Sequence, residues 1–161
     1  MGCFSMVFAL YFFLSWLMLY FLFFIKSYLQ FKDLSFVFLV SLFIHTHLYI
    51  LIPENWKGFN ISKNLELYLA FLLYKTILVP ASLVIIYKIT SKRLHGSKLL
   101  VLTSLFYAIS ISLLDLTSHF LKMFEYLWWN CFWSFFYYWS LSFLSLTLLF
   151  MFSKLEGTKK G

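Results

Sequence analysis

Charge is scarce in this chain: 12% of its 161 residues are Asp, Glu, Lys or Arg, against 63% hydrophobic. An ordinary soluble domain carries about a quarter charged residues and about half apolar ones, so the composition argues against a water-soluble fold. Cysteine is nearly absent as well. Cys3 and Cys131 stand alone, without a C-x-x-C spacing or a histidine pair, and signal neither a disulfide framework nor a zinc site. There is no Gly-rich phosphate loop, nucleophile elbow, H-E-x-x-H helix or pair of catalytic carboxylates, and no internal repeat. The expectation is a protein that is not an enzyme and uses no cofactor or metal. The net charge of +7 would suit nucleic acid if the basic residues shared a solvated face. They sit instead in short connectors between apolar runs, so no nucleic-acid partner is expected.

The apolar runs dominate what is present. They extend from about Phe4 to Ile25, Leu34 to Ile52, Leu67 to Tyr87, Leu99 to Phe120 and Leu127 to Phe152. Each approaches or exceeds the roughly 20 residues that a spanning helix takes. The expected fold is all-α, a single integral membrane bundle of five transmembrane helices over residues 1–161, with no room for a separate soluble domain. The first run lacks a basic flank and a small-residue cleavage site, and its apolar stretch is too long for a signal peptide, so it is expected to remain as an anchor. Phe is abundant, at 22 residues, but an AT-rich coding sequence supplies Phe freely, and the aromatic count alone carries no functional argument.

Basic residues set the expected orientation, because Lys and Arg are retained on the cytoplasmic side. With five spans, Lys26, Lys32, Lys88, Lys92, Arg93, Lys98, Lys154, Lys159 and Lys160 fall on one side and Lys57, Lys63 and Lys122 on the other. That places the N-terminus outside and the tail "KLEGTKKG" in the cytoplasm, and leaves Lys75 as the one basic residue within a span.

The polar residues inside the spans share a depth. At about 1.5 Å per residue, Lys75 lies ~12 Å below the outer boundary, His45 ~10 Å, His47 and Asp115 ~7 Å, Asn130 ~4 Å and His119 ~1 Å. In a bundle these groups can converge on a pocket open to the outside and rimmed by Glu54, Glu66 and Glu125. A charge at mid-membrane costs roughly 2.5 to 3.5 kcal/mol on insertion scales and faces a partner or a hydrated cavity. Asp115 is the only acid well inside a span, so a Lys75 to Asp115 pair is expected between two antiparallel helices. Pro80 would release the carbonyl of Thr76 and allow a kink beside Lys75. Asp115 and His119, four apart, share a helix face, a spacing that fits a proton relay or half a metal site. His45 and His47, two apart, point to nearly opposite sides of a helix and cannot chelate one ion. Trp128, Trp129, Trp133, Tyr137, Tyr138 and Trp139 crowd the start of the fifth run. They read as a membrane-interface belt, the deeper ones also as the lining of a pocket for an apolar or cationic ligand.

The order of "LVPAS" (Leu78 to Ser82), a basic turn, an intramembrane acid at Asp115, then Glu125, Tyr126, Trp129 and Asn130 resembles a family of small, uncharacterised multi-pass membrane proteins of endospore-forming bacteria. The similarity runs from about Trp56 to Phe150. The resemblance implies a bacterial cytoplasmic membrane location, and the matching positions are Asp115, Tyr126, Trp129 and Asn130; the usual acid there is Glu, so Asp115 is a departure. No activity or cofactor comes with the resemblance. The functional expectation is a non-enzymatic protein of the lipid bilayer that acts by packing or partner binding, as a homo-oligomer or an accessory subunit of another membrane protein. The alternatives are a small-solute carrier or receptor around Lys75 and Asp115, and an intramembrane enzyme using Asp115 and His119 as acid and base.

Overall fold

The computed structural model describes residues 2–25, 31–90 and 97–157. Six α-helices form the body: α1 (Gly2–Phe24), α2 (Phe31–Glu54), α3 (Leu65–Leu73), α4 (Val79–Thr90), α5 (Ser97–Phe120) and α6 (Cys131–Gly157). A π-helical turn, Tyr74–Leu78, joins α3 to α4, so the two run on as one rod. Five segments are long and apolar enough to cross a membrane: Ser5–Phe24, Phe31–Pro53, Leu65–Ile89, Val101–Phe120 and Cys131–Leu149. The third is the central one, with 67% of its most apolar window buried, against 17% for the first.

Each helix buries a stripe at helical spacing. On α5 the stripe is Ser104, Tyr107, Ala108, Ile111, Ser112, Asp115 and Ser118; on α6 it is Ser134, Tyr138, Leu141, Ser142, Ser145 and Leu149. Serine is small enough to let two helices approach closely and can hydrogen-bond where they meet, and these two helices form an antiparallel hairpin along their length. The α3–α4 rod packs on α1 and α2, and α2 reaches across to α6. Phe12, Phe13, Leu102, Phe106 and Phe132, by contrast, lie exposed on the outer surface. Bulky apolar groups thus cover the outer surface, while serines and other polar groups are buried within an otherwise apolar core.

Two short strands cap one end. β1 (Phe59–Ile61) and β2 (Phe124–Tyr126) pair antiparallel, with Phe59 opposite Tyr126, Asn60 opposite Glu125 and Ile61 opposite Phe124. Phe59 and Phe124 turn inward and Asn60 and Glu125 outward, the alternation of a half-buried ribbon. The ribbon corrects one expected boundary: the fifth span begins at Cys131 instead of Leu127, because residues 127–130 form the connection from β2 into α6.

Two tight joints hold the ribbon. Gly58 accepts backbone hydrogen bonds from Leu127 (3.0 Å) and Trp129 (3.1 Å) while donating to Ile52 (2.9 Å). A Cβ at Gly58 would stand 2.8 Å from Ile52 Cγ2 and 3.2 Å from Trp129 Cβ, so only glycine fits without displacement. At the end of α5, Lys122 takes a left-handed conformation (φ 59°). Its N–H reaches His119 O and that of Met123 reaches Ser118 O, a Schellman closure in which glycine is the usual residue.

The π-turn lies one step before Pro80. Val79 N–H bonds back to Tyr74 O, one residue further than an α-helix would reach. The expected kink at Pro80 is thus preceded by an inserted residue, and Tyr107 and Ser82 hydroxyls both donate to the carbonyl of Val79 at 3.2 and 2.8 Å. The extra residue brings both Tyr74 and Lys75 into the core.

Candidate functional site

Asp115 is fully buried on the inner stripe of α5, beneath the ribbon. Its Oδ1 accepts the hydroxyls of Tyr49 from α2 and Tyr74 from the π-turn, each at 3.0 Å. Its Oδ2 accepts Tyr126 from β2 at 3.0 Å and Ser134 from the first turn of α6 in a short contact. A carboxylate has about four lone-pair sites, and four hydroxyls from four elements fill them. Tyr138 Oη stands 3.5 Å from Oδ1 but only 2.7 Å from Tyr74 Oη. A phenol has one proton, so Tyr74 gives its own to Asp115 and accepts that of Tyr138. Ser134 does the same, receiving the indole N–H of Trp129 at 2.9 Å while donating to Asp115. The carboxylate is the hub of a two-layer hydroxyl network.

Burial beside the Asp115 carboxylate pushes the Tyr126 phenol above its ordinary value, desolvation being the larger cause. Tyr126 therefore keeps the proton it donates.

The residues singled out in the sequence fall into three groups. Asp115, Tyr126 and Trp129 belong to the network. Glu125 and Asn130 lie at its edge: Glu125 is exposed on the outer face of the ribbon, and Asn130 Oδ1 caps α6 by accepting the backbone N–H groups of Phe132 (3.1 Å) and Trp133 (3.2 Å). His119, half-buried, donates from Nδ1 to the carbonyl of Phe124 at 3.2 Å and lays its ring 4.5 Å from that of Tyr126. It holds β2 against α5.

Lys75 is buried in the same core, within electrostatic range of His45. The carboxylate oxygens, where a Lys75 to Asp115 pair is expected from the sequence, accept the hydroxyls of Tyr49, Tyr74, Tyr126 and Ser134. His45 is fully buried; its Nδ1 meets Tyr137 Oη at 2.7 Å, and its Nε2 has no hydrogen-bond partner. His47, two residues on, is exposed and bonds to the carbonyl of Phe43, in keeping with opposite helix faces. Among the expected rim acids, Glu66 is half-buried, and the side chain of Glu54 lies outside the described residues. Among the described residues, no three His, Cys, Asp or Glu side chains gather as a metal-ligand set.

Tyr49, Tyr74 and Ser134 are additions of the structure, and Tyr138, expected in the aromatic belt, joins them in the network. Six tyrosines (Tyr11, Tyr49, Tyr74, Tyr87, Tyr107 and Tyr138) are almost wholly buried, and every one has a hydroxyl partner. A phenol placed within an apolar span needs such a partner, and that requirement is the signal by which these residues could have been found. Comparison of the chain with protein-family models, with curated proteins and with solved structures gave no match.

Proposed function

We propose that the protein is a five-span membrane protein, N-terminus outside and C-terminus in the cytoplasm of a bacterial cell, that works without catalysis by packing against or binding a membrane partner, either a second copy of itself or another protein. The observation that carries this reading is the closure of the Asp115 hub: the protein's own hydroxyls occupy each of the carboxylate's acceptor sites, and none of the carboxylate is exposed. A charge satisfied in this way fixes the relation of α2, the π-turn, α5 and α6 and offers nothing to a substrate. The apolar exterior of the five spans supports placement in lipid, and the basic connectors support the orientation.

The reading is tested in two steps. Single cysteines at Lys57 and Arg93, on a background lacking Cys3 and Cys131, should be labelled by an impermeant thiol reagent at position 57 only; labelling of position 93 from outside reverses the orientation. Light scattering in detergent and cross-linking in native membranes should then show one defined assembly. A monomer by both methods would remove the packing and partner-binding role.

A second reading, a small-solute carrier, has one observation in its favour. The buried Nε2 of His45 and the nearby Lys75 put more polarity in the core than the Asp115 hub requires. It predicts that Lys75→Met folds yet loses solute binding, whereas the packing reading predicts an assembly unchanged by the same substitution.

A further inference from the structure

Beside the ribbon lies a recess of about 400 Å³ whose wall is almost wholly aromatic: Trp56, Trp128, Trp129, Trp133, Phe136 and Tyr137, with Ser140 at its foot. The polar atoms of several of these rings are already engaged. Trp128 Nε1–H donates to the carbonyl of Trp56 at 2.8 Å, Trp129 Nε1–H to Ser134, and Tyr137 Oη meets His45. Ring faces and edges are therefore what these side chains present to the recess. The face of an indole is the negative pole of its quadrupole and attracts an ammonium group, most strongly where water is excluded.

We propose that this recess holds the ammonium head of a zwitterionic phospholipid. Three features of the recess fit that occupant. Trp133, Phe136, Tyr137 and Ser140 stand at i, i+3, i+4 and i+7 on α6, so the recess descends about 10 Å along one helix face, from the ribbon into the apolar depth where an acyl chain would lie. Its upper wall is pre-formed, because the Trp128 to Trp56 bond ties together the two loops that carry these rings and Gly58 anchors both; a rigid wall loses little freedom on binding. Lys57, exposed and next in sequence to Trp56, is the cation this proposal assigns to the phosphate of the same headgroup. The ammonium would meet ring faces, the phosphate a lysine and the chain an apolar stripe.

The proposal rests on reading the five apolar helices as membrane spans, and the two can fail separately. Intact protein in a maltoside detergent is titrated with short-chain phosphatidylethanolamine, phosphatidylcholine and phosphatidylglycerol of equal chain length, with tryptophan fluorescence and calorimetry as readouts. Saturable binding of the two ammonium-headed lipids, at least tenfold tighter than the glycerol-headed one, is expected. Trp133→Leu and the more exposed Trp56→Leu should each weaken it about tenfold or more, whereas Trp16→Leu on α1, outside the recess, should leave it unchanged. Equal binding of all three lipids, or indifference to both recess variants, reduces the aromatic cluster to a membrane belt and overturns the proposal. Displacement by tetramethylammonium at matching affinity overturns the lipid as the source. Thiol labelling at Lys57→Cys reports the membrane reading independently, so labelled protein without headgroup preference sinks this inference alone.

Discussion

Tyr126 donates its phenolic hydrogen to Asp115 Oδ2 across 3.0 Å, and with that bond the ribbon is fastened to the core of the bundle. The strand supplies the donor, α5 the acceptor, and neither position makes sense without the other. A carboxylate that would be costly in lipid is stable here because protein hydroxyls replace its water.

Removing the acceptor should therefore cost more than removing any one donor. Asp115→Leu leaves four buried hydroxyls without their partner and should destabilise by about 3 to 5 kcal/mol, the range for breaking a buried charged network. Tyr49→Phe, Tyr74→Phe and Tyr126→Phe should each cost about 1.5 to 3 kcal/mol, as for hydrogen bonds to a charged group. Thermal unfolding in detergent measures both. Adding Tyr49→Phe and Tyr74→Phe to Asp115→Leu should recover part of the loss; strict additivity of the three would mean the hydroxyls do not depend on the carboxylate.

The raised Tyr126 value has a definite sign. Its folded-state phenol holds its proton above the ordinary value of 10.0, so its contribution to stability is complete below pH 10 and is lost as pH rises from there toward the folded value. Wild-type protein should lose stability above pH 10 more steeply than Tyr126→Phe. Parallel curves for the two proteins, measured by denaturation at stepped pH, would contradict the assignment.

Gly58 predicts a steric penalty with a specific rescue. Gly58→Ala brings a methyl group to within 2.8 Å of Ile52 Cγ2 and should cost about 1 to 3 kcal/mol, the usual range for overpacking. Ile52→Leu lacks that branch, and the double variant should be more stable than the sum of the single changes allows. A double-mutant cycle gives the coupling directly.

Lys122 offers a gain. A non-glycine residue in the left-handed region carries a penalty of roughly 1 to 2 kcal/mol, so Lys122→Gly should raise the melting temperature, net of the greater freedom glycine has when unfolded. A fall would show that the lysine side chain makes a compensating contact.

Asn130→Ala should remove the cap of α6 and cost about 1 kcal/mol without shifting the Tyr126 titration. A shifted titration would tie Asn130 to the Asp115 network.

The sequence makes the five apolar helices readable because their signal is length and composition, which survive without knowledge of neighbours. Asp115 was legible for the same reason, as the lone acid inside a span. Apart from Tyr126, its partners were not. Tyr49, Tyr74 and Tyr138 fall on apolar faces at helical spacing and look like any other aromatic core residue until their hydroxyls are accounted for. The ribbon escaped notice because three residues are too few for a period-two pattern, and its two strands are 63 residues apart at their closest paired positions, Ile61 and Phe124. The π-turn left one trace, Pro80, whose effect could be foreseen as a disturbance but not as an insertion.

That insertion has a larger consequence. One additional residue advances the helical phase by about 100°, so the two halves of the third crossing point their seams in different directions. The upper half seats on the first helix while the lower half meets the second, and a single rod thus serves as the hinge-pin for two neighbours. Deleting any one residue between Tyr74 and Leu78 would remove that phase step and, by doing so, rotate one half of the rod's buried seam away from its neighbour.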